Sequence, residues 1–543
     1  MAAAAALAAG CDVAQAQDAA DKATSAQVAS ERELAEEPVK PRSRVEVDAP
    51  SPAARIAEGL GVFVGAMTLP GLQALTPADF ADIIVARIGR TLTPEDLAAL
   101  ANAVSERIRA RGYPMGIAWI DAQRVTNGVL VIRVDEGRID EIRLDGSDNV
   151  AVRDSLAPLR NGKPVRLGDI ERRLLLAGDI DGIRIQSSRF FREGDRGILL
   201  VKLSHDRVAG HFVASNQGTK PIGPEQARLQ VNVNGLIASD DSLALGYSTA
   251  PFEPSELQFG FVRYEKRISP SGAELAVSGS ASITHPGAYL NAIDIKNRSW
   301  HVGVSGLQPL LRRKAASYWL EGEFALRNLA QWRSRVRTRR DQIAIGRMTL
   351  YGYRNFAGGR LRTSATLSRG LGILDATKAG DPLASRRDSD GTFTALNAWT
   401  DWTSGLVGKL SLRVAAQGQL ASQPLLISEE AGLGGTNFLR GYDWGERTGD
   451  EGVMGMAELR YSFDRPFNIM KRAQFYAFVD GGTVSNQDDG FGGGSLASTG
   501  GGVRLDITSR LGFSLELAVP LTGPRYDTAN RTPKVNFSLA RSF

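Results

Sequence analysis

The chain carries one cysteine, Cys11, and four histidines. A lone thiol cannot close an internal disulfide, and these residues do not fall at the Cys/His spacings of a structural zinc site. Long apolar runs are missing as well. The nearest approach to a window of about 18 apolar residues, Gly59 to Leu75, holds four glycines and Pro70, which excludes a helical membrane span. Charge of one sign is not in excess: 65 Lys and Arg against 60 Asp and Glu leave only +5. The densest basic run, Arg333 to Arg340, lies between two strand-like segments and reads as a solvated loop, so nucleic acid is not an expected partner. His205, His211, His285 and His301 sit in separate strands or junctions, outside any metalloprotease or nucleophile-elbow motif. The glycine run Gly490 to Ser495, with Gly500 to Gly502, is followed by no helix pattern and no Lys-Ser/Thr pair, so it reads as an outer loop running into a strand. The sequence predicts no enzyme, no metal and no cofactor.

What is present fills 543 residues, 43% hydrophobic and 23% charged, too long for one core. Residues 1–16 carry a short apolar stretch and end in Ala14 to Ala16, an Ala-x-Ala site resembling an export signal without a basic start; Leu7 to Cys11 also looks like a lipoprotein cleavage site. Residues 17–52 read as an exposed helix over 17–37 and a linker marked by Pro38, Pro41, Pro50 and Pro52. A first α+β unit is expected over 53–138: a strand at Val62 to Met67, helices at Pro77 to Arg87 and from Thr93 onward, then strands at Met115 to Ala122 and Val129 to Val134. Thr93-Pro-Glu-Asp96 is a helix start, and Leu97, Leu100, Ala101, Val104 and Ile108 recur on one face. The same order repeats over 139–206, which makes two units of roughly 75 residues an internal repeat.

Beyond Asp206 the helical period gives way to alternation, as in Leu229, Val231 and Val233 against Arg228, Gln230 and Asn232, or Phe513, Leu515, Leu517 and Val519 against Ser514, Glu516 and Ala518. Sixteen such segments of roughly 9 to 14 residues begin near 209, 227, 242, 255, 272, 299, 317, 342, 360, 392, 407, 453, 473, 496, 511 and 534. A β-sandwich and a membrane barrel both alternate. The even count, the lengths and the alternation of short with long connections favour a sixteen-stranded antiparallel transmembrane barrel over 207–543. Its last segment ends in an aromatic, Phe543.

Several motifs are more specific. Arg111-Gly112-Tyr113-Pro114 is followed by Asn127 to Arg138, which contains Glu136 and Gly137. Gly434-Gly-Thr-Asn-Phe-Leu-Arg440-Gly441-Tyr442 is followed by Gly449-Asp450, then by Glu458-Leu-Arg460-Tyr461 and Phe478-Val-Asp480-Gly-Gly482. In this order they resemble the outer-membrane transporters of two-partner secretion, the haemolysin secretion/activation (ShlB/FhaC/HecB) family, over about residues 53 to 543. The first motif resembles the end of that family's first POTRA domain, and 139–206 its second. The later motifs resemble its long sixth outer loop, which folds back into the pore, and a partner strand. Read physically, Phe475, Ala477 and Val479 face lipid while Tyr476, Phe478 and Asp480 face the lumen, and Glu458 and Arg460 face inward likewise, because a carboxylate on the lipid face is costly. Arg440 at the tip of a buried loop needs an acceptor; the resemblance implies that Asp480 is that acceptor.

The resemblance also implies a function. Two periplasmic POTRA domains capture a large secreted β-rich partner, a haemolysin or adhesin, and the barrel passes it across the outer membrane. POTRA sheets offer an edge to which an extended chain can add. Without a nucleotide motif, the drive comes from the partner folding outside. The other partners implied are the lipid bilayer and the barrel assembly machinery, which reads the strand ending at Phe543. The helix over 17–37 resembles the family's pore plug and reads equally as a solvated tail. Two rivals stay open: an assembly factor of the same superfamily, which usually has more POTRA units, and a passive porin-like channel.

Overall fold

In the computed structural model, which describes residues 45–47 and 61–543 apart from Thr126, Asp489 and Phe491, the helix Pro94–Ala110 starts at Thr93. The Thr93 hydroxyl accepts from the Asp96 amide at 3.2 Å, and the Asp96 carboxylate accepts from the Thr93 amide at 2.9 Å, so two otherwise orphaned donors are satisfied. Leu97, Leu100, Ala101, Val104 and Ile108 form the buried face and pack on Val64, Phe80, Leu130 and Ile132. The expected export signal, and the helix and most of the linker over 17–52, lie outside the described residues.

The strand expected over Val62 to Met67 breaks at Gly65. Its amide and that of Ala66 both donate to Gly128 O, at 2.8 and 3.0 Å, so Val62–Val64 pairs with a short strand Arg90–Leu92 while Ala66–Thr68 turns to pair with Val129–Val131. The strand at Arg90–Leu92 was not expected; three residues are too few to show a period.

The second unit holds the helices Val150–Leu156 and Leu167–Gly178 against a sheet. The sheet order is Val45–Val47, Ile183–Glu193, Arg196–His205, Glu141–Asp145. The edge at Ile183–Glu193 is not fully open, because Val45–Val47 runs parallel along Ser188–Phe190. The opposite edge, Glu141–Asp145, carries alternating charges, and Arg143 bridges Glu141 and Glu193 at 2.8 Å each.

The barrel strands, numbered β1 to β16, are β1 (Val208–Ser215), β2 (Gln226–Asn234), β3 (Asp241–Thr249), β4 (Gln258–Arg267), β5 (Glu274–Thr284), β6 (Ile295–Arg312), β7 (Ala316–Arg333), β8 (Val336–Phe356), β9 (Gly359–Leu371), β10 (Thr394–Val407), β11 (Leu410–Ala421), β12 (Glu451–Asp464), β13 (Arg472–Ser485), β14 (Gly494–Asp506), β15 (Leu511–Pro520) and β16 (Lys534–Ser542). Each pairs antiparallel with the next, and β1 pairs with β16, so among the described residues the sheet of sixteen has no open edge. Along β13, Phe475, Ala477 and Val479 are exposed and Tyr476, Phe478 and Asp480 are buried. Across the sheet, Phe475 lies beside Tyr461 and Val503, which continues one apolar outer belt. With Val262, Val277, Val302, Met348 and Leu367 also exposed, this surface is stable only in lipid, where a closed barrel satisfies every backbone group.

Two expectations about these strands are corrected. Strands β6, β7 and β8 have 18, 18 and 21 residues, far more than roughly 9 to 14. The basic run at Arg333 to Arg340 is not a loop: Ser334 and Arg335, at φ 45° and 72°, make a two-residue turn, and Val336 onward is strand. About 9 to 11 residues cross a bilayer. The excess length leaves room for the arginine-bearing start of β8 outside the lipid.

The second unit docks on one end of the barrel, here the near end. Arg312 of β6 holds both Asp179 oxygens, at 2.7 and 2.5 Å, and Arg267 of β4 donates to Leu176 O at 2.6 Å. Both cations meet the carboxy-terminal end of the helix Leu167–Gly178, where its dipole is negative. Asn149 reaches Ser239 O and Arg173 reaches Pro270 O in the adjacent short turns. The long connections, among them 372–393, 422–450, 486–493 and 521–533, emerge at the far end.

Candidate functional site: a loop held inside the barrel

The connection 422–450 leaves β11 and turns inward. Ala431–Leu433 pairs with Arg447–Gly449 as a small internal hairpin. Leu433, Phe438, Leu439 and Tyr442 bury themselves against Ala415, Met454, Met456, Val484 and Leu496 of the wall. Gly441 lets the tip touch β14: a Cβ there would lie 2.9 Å from Ser498 Cβ and 3.1 Å from Pro520 N. Its amide donates to Ser498 Oγ at 3.1 Å.

Arg440, 3% exposed, stands at the centre. Its Nη1 donates to Glu458 at 2.7 Å and Glu516 at 3.1 Å, its Nε to Asp480 at 3.3 Å, and its backbone amide to the same Asp480 oxygen at 3.2 Å. The guanidinium lies 3.4 Å from the centroid of the Phe478 ring, a cation on a π face. Arg460 and Arg504 reach Glu458 at 2.6 and 2.7 Å. Ser498 donates to Asp480; Tyr476 and Asn536 donate to Glu516 at 3.0 and 3.1 Å. Three carboxylates thus meet three guanidiniums, a neutral set buried with most polar atoms paired. Tyr442 closes the contact through its hydroxyl, which donates to Gly523 O at 3.1 Å.

Asp480, expected as the acceptor for Arg440, is one of three, and Glu458 makes the shortest bond. Glu516, Arg504, Ser498 and Asn536 were missed. Glu516 is a lone carboxylate on the inward side of an alternating strand, the same signal that marked Glu458.

Gly449 and Asp450 sit apart from the tip, at the root of the loop. A Cβ on Gly449 would lie 2.6 Å from Ser485 O. Asp450 is fully buried and accepts from the amides of Leu425 and Gln487 at 2.7 and 2.8 Å and from Arg386 Nη1 at 2.8 Å. Arg386 belongs to 372–393, where no pattern in the sequence singles it out.

Gly112, Tyr113, Glu136 and Gly137 gather at the junction between the α+β units. Gly112, at φ 96°, ends the helix, and its carbonyl accepts from Leu167 N at 3.0 Å. The Tyr113 hydroxyl accepts from Arg166 Nε at 3.0 Å. Gly137 O accepts from Val165 N at 3.0 Å, and a Cβ on Gly137 would lie 2.6 Å from Met115 Cβ. Buried Glu136 accepts three amides, Gln73, Ala74 and Leu75, at 3.0, 2.8 and 2.7 Å. Phe543 closes the barrel seam: it exchanges two backbone bonds with Gly210, at 2.9 and 3.0 Å, and its ring covers that glycine. Among the described residues no group of His, Cys, Asp and Glu side chains could hold a metal ion.

Residues 194–505, more than half of the chain, match the family described as haemolysin secretion/activation protein ShlB/FhaC/HecB. The chain belongs to this family. Residues 63–137 match its POTRA domain, ShlB-type. Outer membrane transporter CdiB of Escherichia coli is 26% identical over 496 residues, 86% of this chain and 80% of that one. Heme/hemopexin transporter protein HuxB of Haemophilus influenzae is 22% identical over 466 residues, 83% and 81% of the two chains. The solved structure of CdiB from Escherichia coli superposes with TM-score 0.70 at 20% identity, covering 91% of this chain and 93% of that one. The barrel protein BamA from Haemophilus ducreyi superposes with TM-score 0.52 at 13% identity, over 88% and 100%, a likeness of fold alone. As a member of the ShlB/FhaC/HecB family, the protein is an outer-membrane transporter of two-partner secretion. Its α+β region lies in the periplasm, so the far end of the barrel faces outside.

Proposed function

We propose that this transporter exports and activates a large β-rich secreted protein of haemolysin or adhesin type and is itself not an enzyme. Residues 53–138 and 139–206 act as two POTRA domains that receive the partner's leading segment. The barrel over 207–543 is its passage, and Phe543 belongs to the strand read by the assembly machinery as the barrel enters lipid. The observation that carries this reading is the balanced ion cluster around Arg440. The cluster holds the loop tip on the barrel wall through bonds that can be exchanged, as a passage that must open for a polypeptide requires.

Two routes for capture follow from the sheet of the second unit. An extended segment can add to the edge Glu141–Asp145, or it can displace Val45–Val47 from Ser188–Phe190, since main-chain bonds depend little on side chains. With no ATP in the periplasm, folding of the partner outside drives net movement.

Deletion of residues 53–206 tests the proposal. Release of the cognate secreted partner is expected to stop while ion permeability persists. Unchanged release would overturn the assignment of these units as receptors.

A further inference from the structure

At the outer mouth, three connections meet on one side chain. Arg386, in 372–393, directs its guanidinium at Asp388 Oδ2 (2.7 Å) and Oδ1 (3.2 Å), at Glu430 Oε1 (3.0 Å) and Asp450 Oδ1 (2.8 Å) of the pore loop, and at Asn486 Oδ1 (3.2 Å) and Gln487 O (3.2 Å) of 486–493. Side-chain exposure is 9% for Arg386, 4% for Glu430 and 0% for Asp450. Glu430 and Asp450 flank the internal hairpin, so one cation grips both arms of the pore loop. Asp450 passes the tie onward to the Leu425 and Gln487 amides, and Gln487 Nε2 reaches Ala421 O at 2.9 Å, the last residue of β11. The connection bearing Arg386 is itself pinned to β8: the Ser385 amide donates to Asp341, and the Gln342 amide donates to Thr377 Oγ1, at 2.8 Å each.

We propose that Arg386 is a positioning residue that clamps the pore loop from outside and holds the outer mouth shut.

The electrostatics differ from those at Arg440. There, three guanidiniums balance three carboxylates. Here, a single guanidinium is in ion-pair contact with Asp388, Glu430 and Asp450. Like charges at close range in a buried site repel, and although Arg339 also acts on Glu430, Arg386 is the cation in direct contact with all three carboxylates, so its loss loosens the three connections. Once it is withdrawn they separate, whereas the tip stays seated on its own balanced set. The clamp therefore lets the mouth open before the loop tip leaves the wall. A polypeptide arriving from below would meet the two constraints in series.

This inference rests on reading the barrel as an export passage, but its test needs no cargo, so the two can fail separately. The full-length protein is compared with Arg386→Gln and Arg386→Lys by single-channel conductance in planar bilayers. External trypsin on intact cells reports cutting after Lys378 or Arg387, and heat-modifiable migration confirms a folded barrel. Arg386→Gln is expected to raise the open fraction severalfold and expose 372–393 to trypsin. Arg386→Lys, which keeps the charge and loses the fork, is expected to fall between the two. A folded Arg386→Gln barrel with wild-type conductance and wild-type resistance would overturn the proposal. Should that variant not assemble, Asn486→Ala decides, because it removes the bonds of Asn486 to Arg386 and to Thr448 O and no charge: a raised open fraction supports the clamp and a wild-type one overturns it.

Discussion

Arg440 and Glu458 lie 2.7 Å apart inside the barrel, one on the returning loop and the other on the wall, with Glu458 fully buried. Neither charge is sustainable alone at that depth. Removing one partner of a buried pair costs about 3–5 kcal/mol, mostly the penalty left on the other. Arg440→Ala is therefore expected to release the tip while the strands remain assembled. Arg440→Lys restores little, because a point charge cannot span Glu458, Glu516 and Asp480 at once. Thermal unfolding of the detergent-solubilised variants, set against a double-mutant cycle with Glu458→Gln, measures the coupling. A coupling near zero would mean that the pair contributes nothing.

Glu430 gives the outer clamp a pH dependence. Burial pushes its carboxyl up to about 7, against the partial opposition of Arg386 and a hydrogen bond from Thr448; Asp450 adds to the rise. Arg339 and Asp388 complete the charged surroundings. A folded-state value above the unfolded one means that stability is full below the unfolded value and is lost as pH rises through the folded value. The clamp is thus firmer at pH 6 than at pH 8. Open fraction should rise across this interval in the wild type and stay flat in Glu430→Gln; a rise of equal size in both would place the titrating group elsewhere.

The junction of the α+β units has its own electrostatic tie. Burial alone would raise the Asp135 carboxyl, but the hydrogen bond and charge of Arg192, 2.7 Å away, hold it below the usual carboxylate range. This contribution is present above the unfolded pKa and disappears as pH falls through the lower folded value. With Asp135 about one-third exposed, Arg192→Gln should cost no more than about 1 kcal/mol and should loosen the junction rather than unfold either unit. Limited proteolysis between residues 137 and 141 at neutral pH reads this, and equal cutting of wild type and variant would count against the tie.

Closure of the seam depends on Gly210 and Phe543. A Cβ on Gly210 would lie 2.1 Å from the Phe543 ring. Gly210→Val should delay barrel assembly, seen as accumulation of the unfolded form on unheated gels. On the lipid face, Val479→Arg should cost about 2–4 kcal/mol near the midplane. A neutral effect there would contradict the orientation assigned to β13.

Much of this architecture was legible because alternation at period two is a strong signal once it continues through many strands. Phe475 to Asp480 shows both faces without any structure. The length of β8 was not legible, since Arg337, Arg339 and Arg340 look like a loop until the strand is known to extend past the lipid. Nor could Glu516 be joined to Arg440, 76 residues away, because the contact is made by the loop folding back onto β15 rather than by sequence proximity. Arg386 left no trace at all. Loop residues show no period, and its partners come from three separate connections. At the junction of the units, the glycines at 112 and 137 were visible as a motif, but their use, close approach between two cores, emerged only from the packing around Met115.

The most direct measurement is release of the cognate partner into the medium by cells carrying Arg440→Ala, with heat-modifiable migration showing that the barrel is folded. If the seated tip holds the loop in the one arrangement from which it opens for the partner, release falls severalfold while the barrel remains assembled. Release equal to wild type, from a barrel shown to be folded, would mean that the buried cluster plays no part in transport.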